Sequence, residues 1–343
     1  MPLDADDPVV THYNDGNRAF IQAFMARGTL TLKQAKPILA AIFTIQDGSL
    51  CIPMIRRFVS TNRFLGEKET LPEDVTEADF NSFVSAAMDA LSPFDFEIRS
   101  TFHQVSKERI YAIINSTSDA LTQIATTRSA EEIAFIKRIL DAMFETYNTP
   151  RQEIMGVTSM QALKLAKANQ RNRQSGNASQ LGDGGSQSVD KGLSVAQAER
   201  LLKNMVEEGW LERSKDGWYT LSVRALLELK NWLVATYNDP DADGDGDAWQ
   251  RIKFCQACKE IVTIGQRCKE PDCNVRLHDI CHAAFWKTRR EQKCPKCETE
   301  WDGRHWVGER AITTTESYSK GKRRSGGSKR SDAARNEAEE IEV

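Results

Sequence analysis

The sequence predicts a mainly α-helical protein with small β-hairpins and a cysteine-rich C-terminal module. Two observations predict it. A series of capped, apolar-faced helical segments closed by a hairpin pattern occurs twice along the chain. Behind it, seven of the eight cysteines crowd between Cys255 and Cys297. The 343 residues, at roughly 150 per domain, leave room for two or three domains. Apolar residues make up 40% and charged residues 28%, the proportions of soluble globular domains. Lys plus Arg number 46 against 49 Asp plus Glu, a formal charge of −3. That balance excludes a bulk electrostatic nucleic-acid binder, so any basic patch is local. The longest dense apolar stretch, Ile38 to Ile45, is far shorter than the roughly 18 residues of a membrane helix. The N-terminus, MPLDADDPVV, is acidic and lacks the apolar centre of a secretory signal. A cytosolic or nuclear chain with reduced thiols is expected.

Residues 10–118 read as a first helical domain. Thr76 and Asp79 form a capping box, with Asp in place of the usual Glu or Gln. Behind it Phe80, Phe83, Val84, Ala87, Met88 and Leu91 recur at steps of three and four, one apolar helix face. Pro93 ends that helix. Phe94, Phe96 and Ile98 then alternate with polar residues at strand period, and residues 109–114 supply the return strand. Helices followed by a hairpin make a winged-helix pattern.

The order repeats over residues 129–237. Ser129 and Glu132 form a second box ahead of Ile133, Ile136, Leu140, Met143 and Tyr147. Thr149, Pro150 and Gln152 read as a new helix start, with Pro at its favoured first position. Residues 169–192 are polar and rich in Gly, Ser and Gln, with little to bury, and read as a disordered insertion. Ser194 and Gln197 open the next helix, whose core face is Val195, Ala198, Leu201, Leu202, Met205 and Val206; Gly209 sits where a C-cap belongs. WLER and WYTL are strands joined through Asp-Gly, a hairpin signal. Ser222 starts a last helix carrying Leu226, Leu229, Trp232 and Leu233. Tandem winged-helix domains are therefore expected. An acidic linker follows at 238–249. Asp241, Asp243, Asp245 and Gly246 imitate a calcium loop, but its twelfth position is Ile252, not the bidentate Glu such a loop needs.

Residues 250–303 carry four ligand pairs: Cys255 and Cys258, Cys268 and Cys273, His278 and Cys281, Cys294 and Cys297. In a reducing compartment such a cluster is a metal site. A closed structural zinc site takes four ligands, so eight serve two zinc ions. A module this small cannot bury enough apolar surface to fold alone, and metal binding supplies the missing free energy. His278 is preferred over His282, because adjacent side chains, here Cys281 and His282, seldom reach one metal together. Spacing permits either sequential or interleaved pairing of the four pairs. Cys51, between Leu50 and Ile52, reads as a small buried apolar residue. His12, His103 and His305 have no evident ligand partners.

The segments CQACKEIV, RCKEPDCNVRLHDICHAAFW and CPKCETEW, behind two winged helices, resemble the family of non-structural maintenance of chromosomes element 1, a subunit of an SMC complex in DNA repair. The resemblance implies a cross-braced RING-like domain. One ion would lie between Cys255, Cys258, His278 and Cys281, the other between Cys268, Cys273, Cys294 and Cys297. It implies a RING-type ubiquitin ligase with no covalent nucleophile, which holds a ubiquitin-conjugating enzyme near a substrate. By the same resemblance the docking positions are Ala257, Trp286 and Pro295. Ala257 is smaller than the usual Ile or Leu, and Glu298 stands where many active RINGs carry Arg. A partner that raises the activity is therefore expected, and a non-catalytic scaffold with a structural zinc domain is the alternative. A PHD-like reader shares the ligand order, but Gln292 occupies the position of its usual Trp.

The third helix of neither unit suits DNA. Residues 76–91 hold three acidic side chains and no basic one, and residues 194–208 hold Arg200 and Lys203 against three glutamates. The units are expected to bind protein. The resemblance implies a MAGE-like subunit of the same complex and other SMC complex subunits as partners, with any DNA contact indirect and a nuclear location. The tail, 312–343, reads as disordered. It concentrates Lys320, Lys322, Arg323, Arg324, Lys329 and Arg330 before an acidic end, as import signals and nucleic-acid contacts do.

Overall fold

A computed structural model describes residues 13–46, 69–116, 127–167, 192–239, 249–289, 291–315 and 318. Cys51, nearly all of the 169–192 insertion, most of the 238–249 linker and the basic and acidic stretches of the tail lie outside the described residues. Among the described residues helices dominate, with three small antiparallel sheets. The chain divides into two compact units, Met1–Gln123 with Val223–Leu229, and Ile124–Ser222 with Lys230–Val343. Among the described residues no helix is long and apolar enough to cross a membrane.

In the first unit α1 (Asp15–Arg27), β1 (Thr29–Thr31), α2 (Leu32–Gln46) and α3 (Glu77–Leu91) precede the hairpin of β2 (Phe96–Phe102) and β3 (Arg109–Asn115). The Thr76 and Asp79 box forms as expected, each side chain capping the other's backbone N–H. Phe80, Val84, Ala87 and Leu91 are buried, whereas Met88 is exposed. The core is aromatic: Phe80 meets Tyr111 edge-on at 4.9 Å and Phe20 meets Phe83 at 5.5 Å, geometries that add about 1 kcal/mol each beyond area burial. Phe94 is not in the strand. Pro93 sits in the opening positions of a tight 3₁₀ turn at Ser92–Phe94, and Asp95 turns left-handed at φ 60° before the strand begins. β1 joins the hairpin through β3, giving the strand order β1-β3-β2.

The second unit repeats the sequence of elements: α4 (Ala130–Asp141), β4 (Val157–Thr158), α5 (Ser159–Lys164), α6 (Val195–Glu207), β5 (Leu211–Arg213) and β6 (Trp218–Leu221). Its sheet order, β4-β6-β5, also matches. The boxes at Ser129/Glu132 and Ser194/Gln197 are both present. Thr149 and Pro150 start no helix. Thr149 and Gln152 exchange backbone hydrogen bonds at 3.0 and 3.1 Å, and Asn148 bridges Glu153, so the segment is a closed turn. The helix starts instead at Ser159, capped by Thr158 and Gln161. Val195, in the first turn of α6, is exposed rather than in the core. The helix expected from Ser222 is two: α7 (Val223–Glu228) and α8 (Lys230–Tyr237). α7 belongs with the first unit, where Leu227 clusters with Ala112 and Ile114 of β3.

The C-terminal part of the second unit holds β7 (Gly265–Arg267), β8 (Arg276–Leu277), α9 (Asp279–Lys287), β9 (Trp306–Val307) and α10 (Arg310–Thr313). β7 lies between β8 and β9. A Cβ on Gly265 would stand 2.3 Å from the Leu277 carbonyl oxygen, so only glycine lets the strands approach.

Candidate metal centre

Two turns of the same construction present the outer cysteine pairs. In the first, the Cys255 N–H donates to the Glu260 carbonyl and the Lys259 N–H to the Cys255 carbonyl, at 2.8 and 2.9 Å. In the second, Cys294 donates to Thr299 and Glu298 to Cys294, at 2.8 and 3.0 Å. The residue after each pair, Lys259 or Glu298, is left-handed at φ 62° and 58°. That conformation folds the backbone back so that both sulfurs of a pair face one point. The inner ligands come from the sheet. Cys268 follows β7, Cys273 precedes β8, and His278 leaves β8 as the N-cap of α9, with Cys281 in its first turn.

The eight ligand atoms fall into two groups, Cys255, Cys258, His278 and Cys281 in one, and Cys268, Cys273, Cys294 and Cys297 in the other. Within each group all ligand atoms lie within 4.8 Å of one another. The pairs are therefore interleaved, first with third and second with fourth. Distances of 3.4 Å between Cys268 and Cys297 Sγ and 3.6 Å between Cys273 and Cys294 Sγ approach the edge of a zinc–thiolate tetrahedron, about 3.8 Å for a 2.3 Å bond. Cys258 and Cys281 Sγ stand 3.2 and 3.9 Å from His278 Nδ1. On the far side of the ring, His278 Nε2 lies 3.1 Å from the Ile261 carbonyl. Nε2 then carries the proton and donates, and Nδ1 keeps its lone pair for the metal. Burial pushes the Cys273 thiol up to about 11. Holding it as thiolate among three other sulfurs takes a cation. Two clusters of four such ligands fit two zinc ions.

His282 is in neither group; its ring packs edge-on against Trp286 at 6.2 Å. Of the three docking positions, Ala257 and Pro295 are exposed, one on each turn. Trp286 is only 6% exposed and stacks near Trp301 at 5.7 Å, beneath the surface. Gln266 joins this core to α9 and α10: Trp301 Nε1 donates to its Oε1 at 3.0 Å, its Nε2 donates to Asp279 at 3.3 Å, and Arg310 Nη1 donates to the same carboxylate at 2.7 Å.

Sequence reasoning missed Glu153. It lies in the turn ahead of β4, 1% exposed, and gathers three cations. Arg276 Nε donates to its Oε2 at 2.7 Å while Nη2 donates to Oε1. Lys253 Nζ donates to Oε1 at 2.8 Å, and Arg267 Nη1 stands 3.6 Å away. Burial alone would push the Glu153 carboxyl up, but the Arg276 hydrogen bond and the three positive charges bring it down to about 2. No local motif signals this group, because its partners lie a hundred or more residues onward.

Residues 17–229 match the family described as the Nse1 non-SMC component of the SMC5-6 complex. The chain belongs to this family. Residues 255–297 match a RING-like domain. The chain is similar to the non-structural maintenance of chromosomes element 1 homolog of Homo sapiens, 22% identical over 287 residues and covering 84% of each protein. It is also similar to the element 1 protein of Saccharomyces cerevisiae, 24% identical over 116 residues, 31% of each. A chain of a solved Nse1-Nse3-Nse4 complex shares the fold at a TM-score of 0.57 and 17% identity, over 84% of this chain and 97% of that one.

Proposed function

We propose that this protein is a RING-type ubiquitin ligase and scaffold subunit of an SMC chromosome-maintenance complex, acting in DNA repair and recombination in the nucleus. The interleaving of its two ligand sets carries the reading: it is the cross-braced arrangement of a RING-like domain, within a chain of the Nse1 family. Bound zinc supplies shape rather than acid–base chemistry. The module holds a ubiquitin-conjugating enzyme against a substrate, and the rate gain is proximity and orientation. Ala257 and Pro295 offer the exposed docking surface, and Trp286 stiffens it from below. A MAGE-like subunit of the same complex is the partner of the helical units. The likeness to a chain of an Nse1-Nse3-Nse4 complex supports this, as do the acidic third helices, which also make DNA contact indirect.

Ubiquitin transfer reconstituted from purified components, with and without the MAGE-like partner, tests the reading. Transfer that rises with the partner is expected. No transfer across a panel of conjugating enzymes in either condition contradicts it. The second reading, a non-catalytic scaffold, draws on three observations: the small Ala257, the acidic Glu298 and the burial of Trp286.

A further inference from the structure

The loop between Cys268 and Cys273 spans four residues, where the outer pairs span two. It holds two of the four ligands of the all-cysteine centre, and its length alone would leave those sulfurs loosely placed. Two buried guanidiniums hold its backbone. Arg276 Nη1 donates to the carbonyls of Cys273 and Val275, both at 2.6 Å. Arg267 donates from Nε to the Cys268 carbonyl and from Nη2 to the Pro271 carbonyl, both at 3.3 Å. The Arg276 side chain is fully buried, and its remaining donors go to Glu153. Glu153 is itself anchored, since its own carbonyl accepts from the Gly308 N–H at 2.7 Å.

Charge points the same way. Four thiolates around a divalent cation carry two net negative charges, and Arg267 and Arg276, permanently cationic, lie beside that centre. In the other centre, with a neutral imidazole, His278 Nε2–H donates to the Ile261 carbonyl, and Arg276 meets the first knuckle through its backbone carbonyl, which accepts from the Gln256 N–H at 3.0 Å, rather than through its guanidinium. Glu153 also holds Lys253, two residues ahead of Cys255, but both of its arginine partners reach backbone carbonyls of the Cys268–Val275 segment, so it bears more on the all-cysteine centre than on the other. We propose that Glu153 is a positioning residue for the all-cysteine centre, fixing the Cys268–Cys273 loop through Arg276 and Arg267 and so governing how tightly that one of the two ions is held.

The test is selective metal loss from the full chain. Cadmium-113 loaded protein gives one resonance for each centre, and the all-sulfur resonance is distinct from that with a histidine ligand. On adding a chelator to Glu153→Gln, the all-sulfur resonance is expected to decay about tenfold faster than in the parent chain, the lower end of what supporting hydrogen bonds contribute to metal affinity. The other resonance should accelerate markedly less. Unchanged decay of both overturns the proposal. So does equal acceleration of both, which is what general loosening of the fold produces. Should Glu153→Gln yield no folded protein, Arg267→Lys keeps the charge and removes the two carbonyl contacts. It is read in the same assay, with the same selective acceleration expected and the same two outcomes overturning the proposal.

Discussion

Glu298 stands one residue past the last cysteine, exposed and left-handed. Its position on the turn that also carries Pro295 would bring it near a docked conjugating enzyme. A guanidinium there can add one charge-assisted hydrogen bond, worth about 1.5 kcal/mol or more. Glu298→Arg is therefore expected to speed ubiquitin discharge about tenfold, measured by single-turnover release from the loaded enzyme; no change would remove this position from the interface. Tyr237 offers a test of the second unit's core. Its hydroxyl donates to Asp141 at 2.9 Å, with its ring between Phe144 and Trp232. Burial, then the Asp141 hydrogen bond and charge, raise its pKa. A raised folded-state pKa means stability that is complete below the unfolded value, about 10, and lost as pH climbs beyond it. The urea midpoint should fall above about pH 10, and Tyr237→Phe should lessen that fall while costing about 1 kcal/mol at pH 8. The ligands were legible residue by residue because knuckle spacing is local. Glu153 was not: its three ion partners lie between 100 and 123 positions away, and a lone Glu between Gln152 and Ile154 carries no pattern.

Capped helices were the most legible elements, because a box is written in four residues. Thr76, Ser129 and Ser194 each cap as their spacing predicts. Ser194→Ala should lower stability by about 1 kcal/mol in chemical denaturation. The short strands β1 and β4 were illegible, having three and two residues, too few to show a period. The turn at Thr149–Pro150 misled for a physical reason. Thr and Pro suit a helix start, but they also suit a closed turn, and the hydrogen bonds of Gln152 back to Thr149 decide for the turn. Gly265 was also unremarkable in sequence, since only strand pairing brings the Leu277 carbonyl against it. Gly265→Ala forces β7 and β8 apart. It should cost about 1–3 kcal/mol, as overpacking does, and show as a lowered melting temperature of the zinc-loaded chain.

At the scale of the whole molecule, one arrangement of helix, strand, helix, helix and hairpin occurs in each unit, and the metal module follows the second. That module has a small apolar core of its own, made of Ile252, Ile261, Val262, Val275, Leu277, Trp286, Trp301 and Val307. Its order therefore depends on the two interleaved centres. Each centre joins an earlier ligand pair to a later one, so either centre alone still ties the module together and only the loss of both unlinks it. The eight ligands were legible in the sequence but their partition was not, since spacing alone allows neighbours to pair. Zinc stoichiometry of paired serine variants, by native mass spectrometry on the full chain, tests the partition most directly. The parent should carry two ions, the Cys258→Ser, Cys281→Ser double variant one, and the Cys258→Ser, Cys268→Ser double variant none. Sequential pairing reverses the last two results, and that reversal, or a folded parent holding fewer than two ions, would contradict the account.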